Sequence, residues 1–132
     1  MLALKTFAGV RVIAAPRALD NAAWHPESIA IRISADDLFV IAESVGSPGA
    51  MALLAADPDA IIEAETGFVG SWLNGAQMST IATHIEWHLP TQRPALAQGF
   101  IAGVPAKLWL TNSAALLLCG VANAHDLIER TS

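Results

Sequence analysis

The sequence predicts an α+β protein: a mixed or antiparallel sheet with helices packed on one face, in the order ββαβαββα. Three observations predict it. Strand-like and helix-like stretches interleave along the chain. Hairpin patterns stand at both ends, which a doubly wound parallel sheet would not show. The helix in the middle carries one apolar stripe, as a helix lying on a sheet does. The 132 residues read as a single domain over 1–132, with 1–27 its less regular N-terminal segment.

Residues 16–26 read as a loop or short turn. Beyond them Ile29, Ile31 and Ile33 alternate with Ala30, Arg32 and Ser34, the period of a half-buried strand. Asp36-Asp37 turns the chain into the continuous apolar strand 38–42, completing a hairpin. Ser47-Pro48 is an N-cap followed by a proline whose missing N–H costs nothing in the first helical turn. Met51, Leu53 and Leu54 carry that helix, and Asp57-Pro58 ends it. A strand opens at 60–62 and runs on, with an interruption or bulge at Gly67, to Asn74-Gly75. A second helix starts near Ala76, with Met78, Ile81, Ala82 and Ile85 at i, i+3, i+4 and i+7. Residues 91–97 form a loop and 98–110 an extended segment, where Pro105 implies an edge or a bulge. Asn112-Ser113 turns into the buried strand 115–119, and Asn123 caps a last helix containing Leu127 and Ile128.

Composition sets the class of object. Hydrophobic residues make up 54% and charged residues only 14%, against about 25% in ordinary soluble domains, and mean hydropathy is +0.48. Such a chain has ample apolar surface to collapse, which excludes disorder. Cys119, the lone cysteine, excludes a disulfide scaffold. A spanning helix needs about 20 apolar residues in a row. The best run, 108–122, is broken by Thr111-Asn112-Ser113 and Gly120, and reads as two strands about a turn. Lys5 and Arg11 break the apolar N-terminus, so no signal-peptide core is read there. A cytoplasmic location is expected, in keeping with an unpaired thiol. So much aliphatic surface with so few charges predicts apolar patches left outside, and hence a chain that lives as a subunit or self-associates.

Charge placement narrows the partners. No lysine or arginine occurs between Arg32 and Arg93, whereas that interval holds eight of the twelve acidic residues. Nucleic acid is excluded, because phosphate neutralisation needs clustered basic side chains. A dinucleotide or another polyanion is disfavoured for the same reason.

Each constellation that could carry chemistry has a plainer reading. His84 and His88, four apart, would share one face of a continuous helix and could bind zinc with Glu86 or Glu65. The pattern is not H-E-x-x-H, however, and two polar residues at a helix end are the commoner case. Cys119 in an apolar strand reads as an inert thiol with a raised pKa. His125, Asp126 and Glu129 could relay protons, but more commonly decorate an exposed helix. Gly67-x-x-Gly70 lacks a third glycine and a following helix start, so it makes no phosphate cradle. Glu63 and Glu65 share a strand face, where a solvated face is commoner than an acid/base pair. Trp24, Trp72, Trp87 and Trp109 could line a pocket, or anchor a core or an interface. No catalytic, cofactor-binding or metal residue is assigned on these grounds.

Three stretches carry a resemblance to a known family. They are residues 29–41 with their acidic turn between two strands, 65–75 (Glu-Thr-Gly-Phe-Val-Gly-Ser-Trp-Leu-Asn-Gly), and 99–110 followed by 116–128. Together, over about 28–131, they resemble the gamma subunit of heterotetrameric sarcosine oxidase. That resemblance implies a fold related to the folate-binding domain of the glycine-cleavage T-protein. It implies a non-catalytic accessory subunit that assembles with larger flavin-dependent oxidoreductase subunits in sarcosine and one-carbon metabolism. FAD, FMN, NAD and tetrahydrofolate would then belong to the partner subunits, with none bound by this chain alone. Basic residues are missing where a folate's glutamate tail would be held, and no catalytic residue carries across. The alternatives are a stand-alone homo-oligomer binding folate or another small ligand, and a small metalloenzyme at His84 and His88.

Overall fold

A computed structural model describes residues 2–132. The fold is α+β, as the patterning predicts, but it holds two antiparallel sheets where one was expected. The order is ββαββαββαβββα. The chain divides into two compact units: residues 7–66, and the N-terminal residues to Thr6 together with 67–132. The first unit is thus inserted, in sequence, between the first two strands of the other.

The unit of residues 7–66 runs β2 (Gly9–Ile13), α1 (Pro16–Asn21), β3 (Ile29–Ser34), β4 (Asp37–Ile41), α2 (Pro48–Ala56) and β5 (Ile61–Glu65). Its sheet order is β3-β4-β2-β5. A βαββαβ chain with its first and third strands central is the ferredoxin-like arrangement. Alternation along the strands sends Val10, Val12, Leu38 and Val40 to one face, where Leu19 of α1 and Leu53 of α2 close the core. Both helices therefore cover the same face.

Several sequence expectations are corrected here. The N-terminal segment that looked least regular supplies the central strand β2 and the helix α1. Arg11, which breaks the apolar run in sequence, is a strand residue whose charge is met across the sheet. Helix α1 has no side-chain cap of its own, because Ala15 stands at that position. Asp57 supplies an acceptor from beyond α2, its Oδ2 receiving the Ala15 N–H at 2.9 Å. Arg32 fastens the same helix, pairing with Asp20 at 3.0 Å and donating to the Pro16 carbonyl. The isoleucine alternation in β3 also breaks, since the register shifts between Arg32 and Ser34. Helix α2 follows the prediction: Ser47 Oγ accepts the Ala50 N–H, and the helix stops before Asp57.

The other unit contains β1 (Lys5–Thr6), β6 (Phe68–Leu73), α3 (Gly75–Ala82), β7 (Ala95–Ile101), β8 (Val104–Leu110), β9 (Ala115–Gly120) and α4 (Ala124–Arg130). The sheet order is β1-β6-β9-β8-β7. What reads as one strand interrupted at Gly67 is two strands in different sheets: β5 pairs with β2, and β6 with β1 and β9. The segment 98–110 is likewise two strands, joined by Ala102-Gly103 at φ 51° and 77°. Both turn residues adopt positive φ, as a tight two-residue hairpin requires, but alanine stands where asparagine would have signalled it. Pro105 is tolerated because it pairs only with Phe100 of β7; the ladder to β9 begins at Lys107.

Helix α3 starts with a capping box in which Asn74 accepts the Gln77 N–H at 2.8 Å and Gln77 accepts the Asn74 N–H at 2.9 Å. It ends at Ala82, so Ile85 reaches the core from the following loop rather than from a helical stripe. A 3₁₀ turn, Val121–Asn123, leads into α4, and the Asn123 side chain does not cap it. Ile81 and Leu127 pack on the face made by Val69, Leu108, Leu117 and Cys119.

Candidate functional site

The sequence-predicted residues do not converge. His84 and His88 lie beyond the end of α3, so the shared helical face that would aim both imidazoles at one ion is not formed. Among the described residues no group of three histidine, cysteine, aspartate or glutamate side chains could hold a metal ion. His125 Nε2 lies 3.1 Å from Glu129 Oε2, an i,i+4 pair open to solvent on α4. Cys119 is buried in β9, and burial pushes its thiol pKa up, as its apolar strand predicts. Gly70 sits within β6 and Gly67 just before it, so neither opens a helix toward a phosphate.

Glu63 and Glu65 do share one face of β5, but only Glu65 is drawn into a cluster. Arg11 of β2 donates from Nη1 to Glu65 Oε1 at 3.1 Å, and from Nε and Nη2 to Asp37 of β4 at 2.6 and 2.7 Å. The carboxylates hold the guanidinium pKa above its ordinary value, the hydrogen bonding of Arg11 to Asp37 being the largest cause. The three side chains come from three adjacent strands, so the cluster fixes register across the sheet. Sequence reading missed it, since the residues lie 26 and 54 positions apart.

The tryptophans are spread over both units. Trp24 packs on the helical side of the four-stranded sheet. Trp87 crosses the edge strand β7 and donates from Nε1 to the Phe100 carbonyl at 2.9 Å. A Cβ on Gly99 would come within 2.5 Å of that ring, so glycine makes the crossing possible. Trp72 and Trp109 flank Leu116 in one cross-strand row, on the sheet face opposite the helices. On that face Trp72 is 41% and Phe100 62% exposed. In the other unit Ile13 and Ile61, directly paired across β2 and β5, are 39% and 55% exposed. A groove of 420 Å³ is lined by Ala18, Ala22, Ala52 and Leu53, with Arg17 and Asn21 contributing polar groups. No helix among the described residues is long and apolar enough to cross a membrane.

These features define an α+β protein of two antiparallel units, whose partly buried Arg11 cluster serves the fold and whose surface presents large apolar side chains. Neither a family model nor a curated protein matches the chain. Among solved structures, the chain is similar to one from the heterotetrameric sarcosine oxidase of Corynebacterium sp. U-96, solved in complex with pyrrole 2-carboxylate. The TM-score is 0.67 at 14% identity, covering 97% of this chain and 80% of that one. At that identity the likeness is one of fold.

Proposed function

We propose that the chain is a non-catalytic accessory subunit, of the sarcosine oxidase gamma kind, that packs against a larger flavin-dependent oxidoreductase chain in the cytoplasm. The carrying observation is the exposure of Trp72, Phe100 and Ile61 on sheet surfaces. Burying an aromatic or large aliphatic side chain is worth about 1.5–3 kcal/mol, a driving force a free-standing chain forgoes. The fold likeness to a chain of a heterotetrameric enzyme supports the same reading. In this role FAD, FMN, NAD and tetrahydrofolate reside in the partner subunits. Here the stretch between Arg32 and Arg93 offers no basic side chain to hold a polyanion.

Co-expression with a flavin-containing chain encoded beside it tests the proposal. A stable complex of fixed stoichiometry is expected. A monodisperse monomer that copurifies with no such chain would overturn it.

The alanine-lined groove favours a second reading, a self-sufficient protein that binds a small apolar or one-carbon ligand. Calorimetric titration of the isolated chain with folates separates the two, because the subunit reading predicts no binding heat.

A further inference from the structure

The open end of the four-stranded sheet carries an apolar patch inside an acidic surround. Ile13 and Ile61 form its floor as a cross-strand pair, in a concavity of 430 Å³ that Asp36, Asp57 and Asp59 also line. Glu63 stands two residues along β5 on the same face as Ile61. Arg11, on that face, is already engaged by Asp37 and Glu65. No ion pair offsets Asp36, Asp57, Asp59 or Glu63 among the described residues. Asp57 is held in place by the backbone N–H groups of Ala15 and Asp59, so part of this charge is fixed before anything binds.

We propose that this patch is the contact surface for a cationic segment of the partner chain. One large apolar side chain seats on the two isoleucines, and lysine or arginine side chains reach the carboxylates around them. The inference rests on the subunit reading and names where and how the partner is held. A second copy of this chain is the wrong occupant, because a symmetric contact here would set Asp59 and Glu63 against their own counterparts. The carboxylates steer encounter and exclude like-charged partners, while the isoleucine pair supplies the desolvated centre.

The complex with the flavin-containing chain tests this directly. Zero-length carbodiimide coupling, which joins a carboxylate to a lysine amine in contact, is expected to link residues 36, 57, 59 or 63 to the partner. Ile61→Lys should weaken assembly by about tenfold or more, whereas Met51→Lys, an exposed site on α2, should leave it unchanged. Raising salt from about 0.05 to about 0.5 M should slow association of the unaltered chain. Ile61 is exposed, so the folded content of the variant, read by circular dichroism, should match the parent. If Ile61→Lys assembles as the parent does, or the cross-links all fall elsewhere, the patch assignment is wrong and the subunit reading stands. If the parent chain forms no complex, both fall.

Discussion

Arg11 grips Asp37 with two parallel hydrogen bonds, Nε at 2.6 Å and Nη2 at 2.7 Å, from the neighbouring central strand of the four-stranded sheet. This fork geometry is available to arginine and not to lysine. Arg11→Lys keeps the charge but loses the fork, and should cost about 1–2 kcal/mol in a urea melt. In a double-mutant cycle with Asp37→Asn, the pair should show a coupling of about 1–2 kcal/mol. Strict additivity would remove its role in setting the register.

The fold lowers the pKa of the Glu43 carboxyl. The Ser47 hydroxyl is the largest cause, opposed by partial desolvation, with Ser28 and the His25 N–H adding to the lowering. Ser28 Oγ donates at 2.8 Å and the His25 N–H at 3.0 Å. A depressed carboxyl contributes stability that is complete above its ordinary value, 4.5, and is lost as pH falls through the folded-state value. Glu43→Gln should therefore be less stable than the parent near neutrality, with the gap closing as the medium is acidified. Urea midpoints followed across the acid range check this, and a gap that widens in acid would contradict it.

Gly99 and Trp87 form a second matched pair. Gly99→Ala should displace the indole and break its bond to the Phe100 carbonyl, costing about 1–3 kcal/mol and altering the near-ultraviolet dichroism. Trp87→Phe loses the hydrogen bond but keeps most of the cover, and should cost about 0.5–1.5 kcal/mol for that bond. Because Trp87 shields part of an edge strand, its truncation to alanine should also raise aggregation, measurable by light scattering.

The Cys119 thiol, buried and shifted upward, should resist an aromatic disulfide reagent in the native protein and react once urea unfolds the chain. Rapid reaction in native buffer would place β9 on the surface.

Local chemistry was legible at several turns and caps, though not at Asn123, whose side chain does not cap α4, nor at the Ala102-Gly103 turn. The helix start at Ser47-Pro48 and the hairpin at Asp36 stand where their side chains dictate, whereas the pairing of Asn74 with Gln77 emerges only in the structure. Long-range relationships were not. Nothing near Gly67 says that the strand before it joins Gly9–Ile13 while the strand after it joins Phe68's own neighbour β9, because sheet partnership is decided by contacts far away in sequence. The helix Pro16–Asn21 lies inside 16–26, which reads in sequence as a loop or short turn, and the acceptor that helps hold its start, Asp57, lies 42 positions on. The exposed apolar side chains follow from composition in kind, but which ones they are depends on strand pairings set far away in sequence.

The first strand has a practical implication for protein engineering. Thr6 stands opposite Val69, and paired strand residues lie about 5 Å apart. The two severed ends left by deleting residues 7–66 would therefore be near enough to rejoin through a loop of about 2–5 residues. The ferredoxin-like module is removable in design, and a miniature made only of the five-stranded remainder can be asked which half of the molecule a partner recognises.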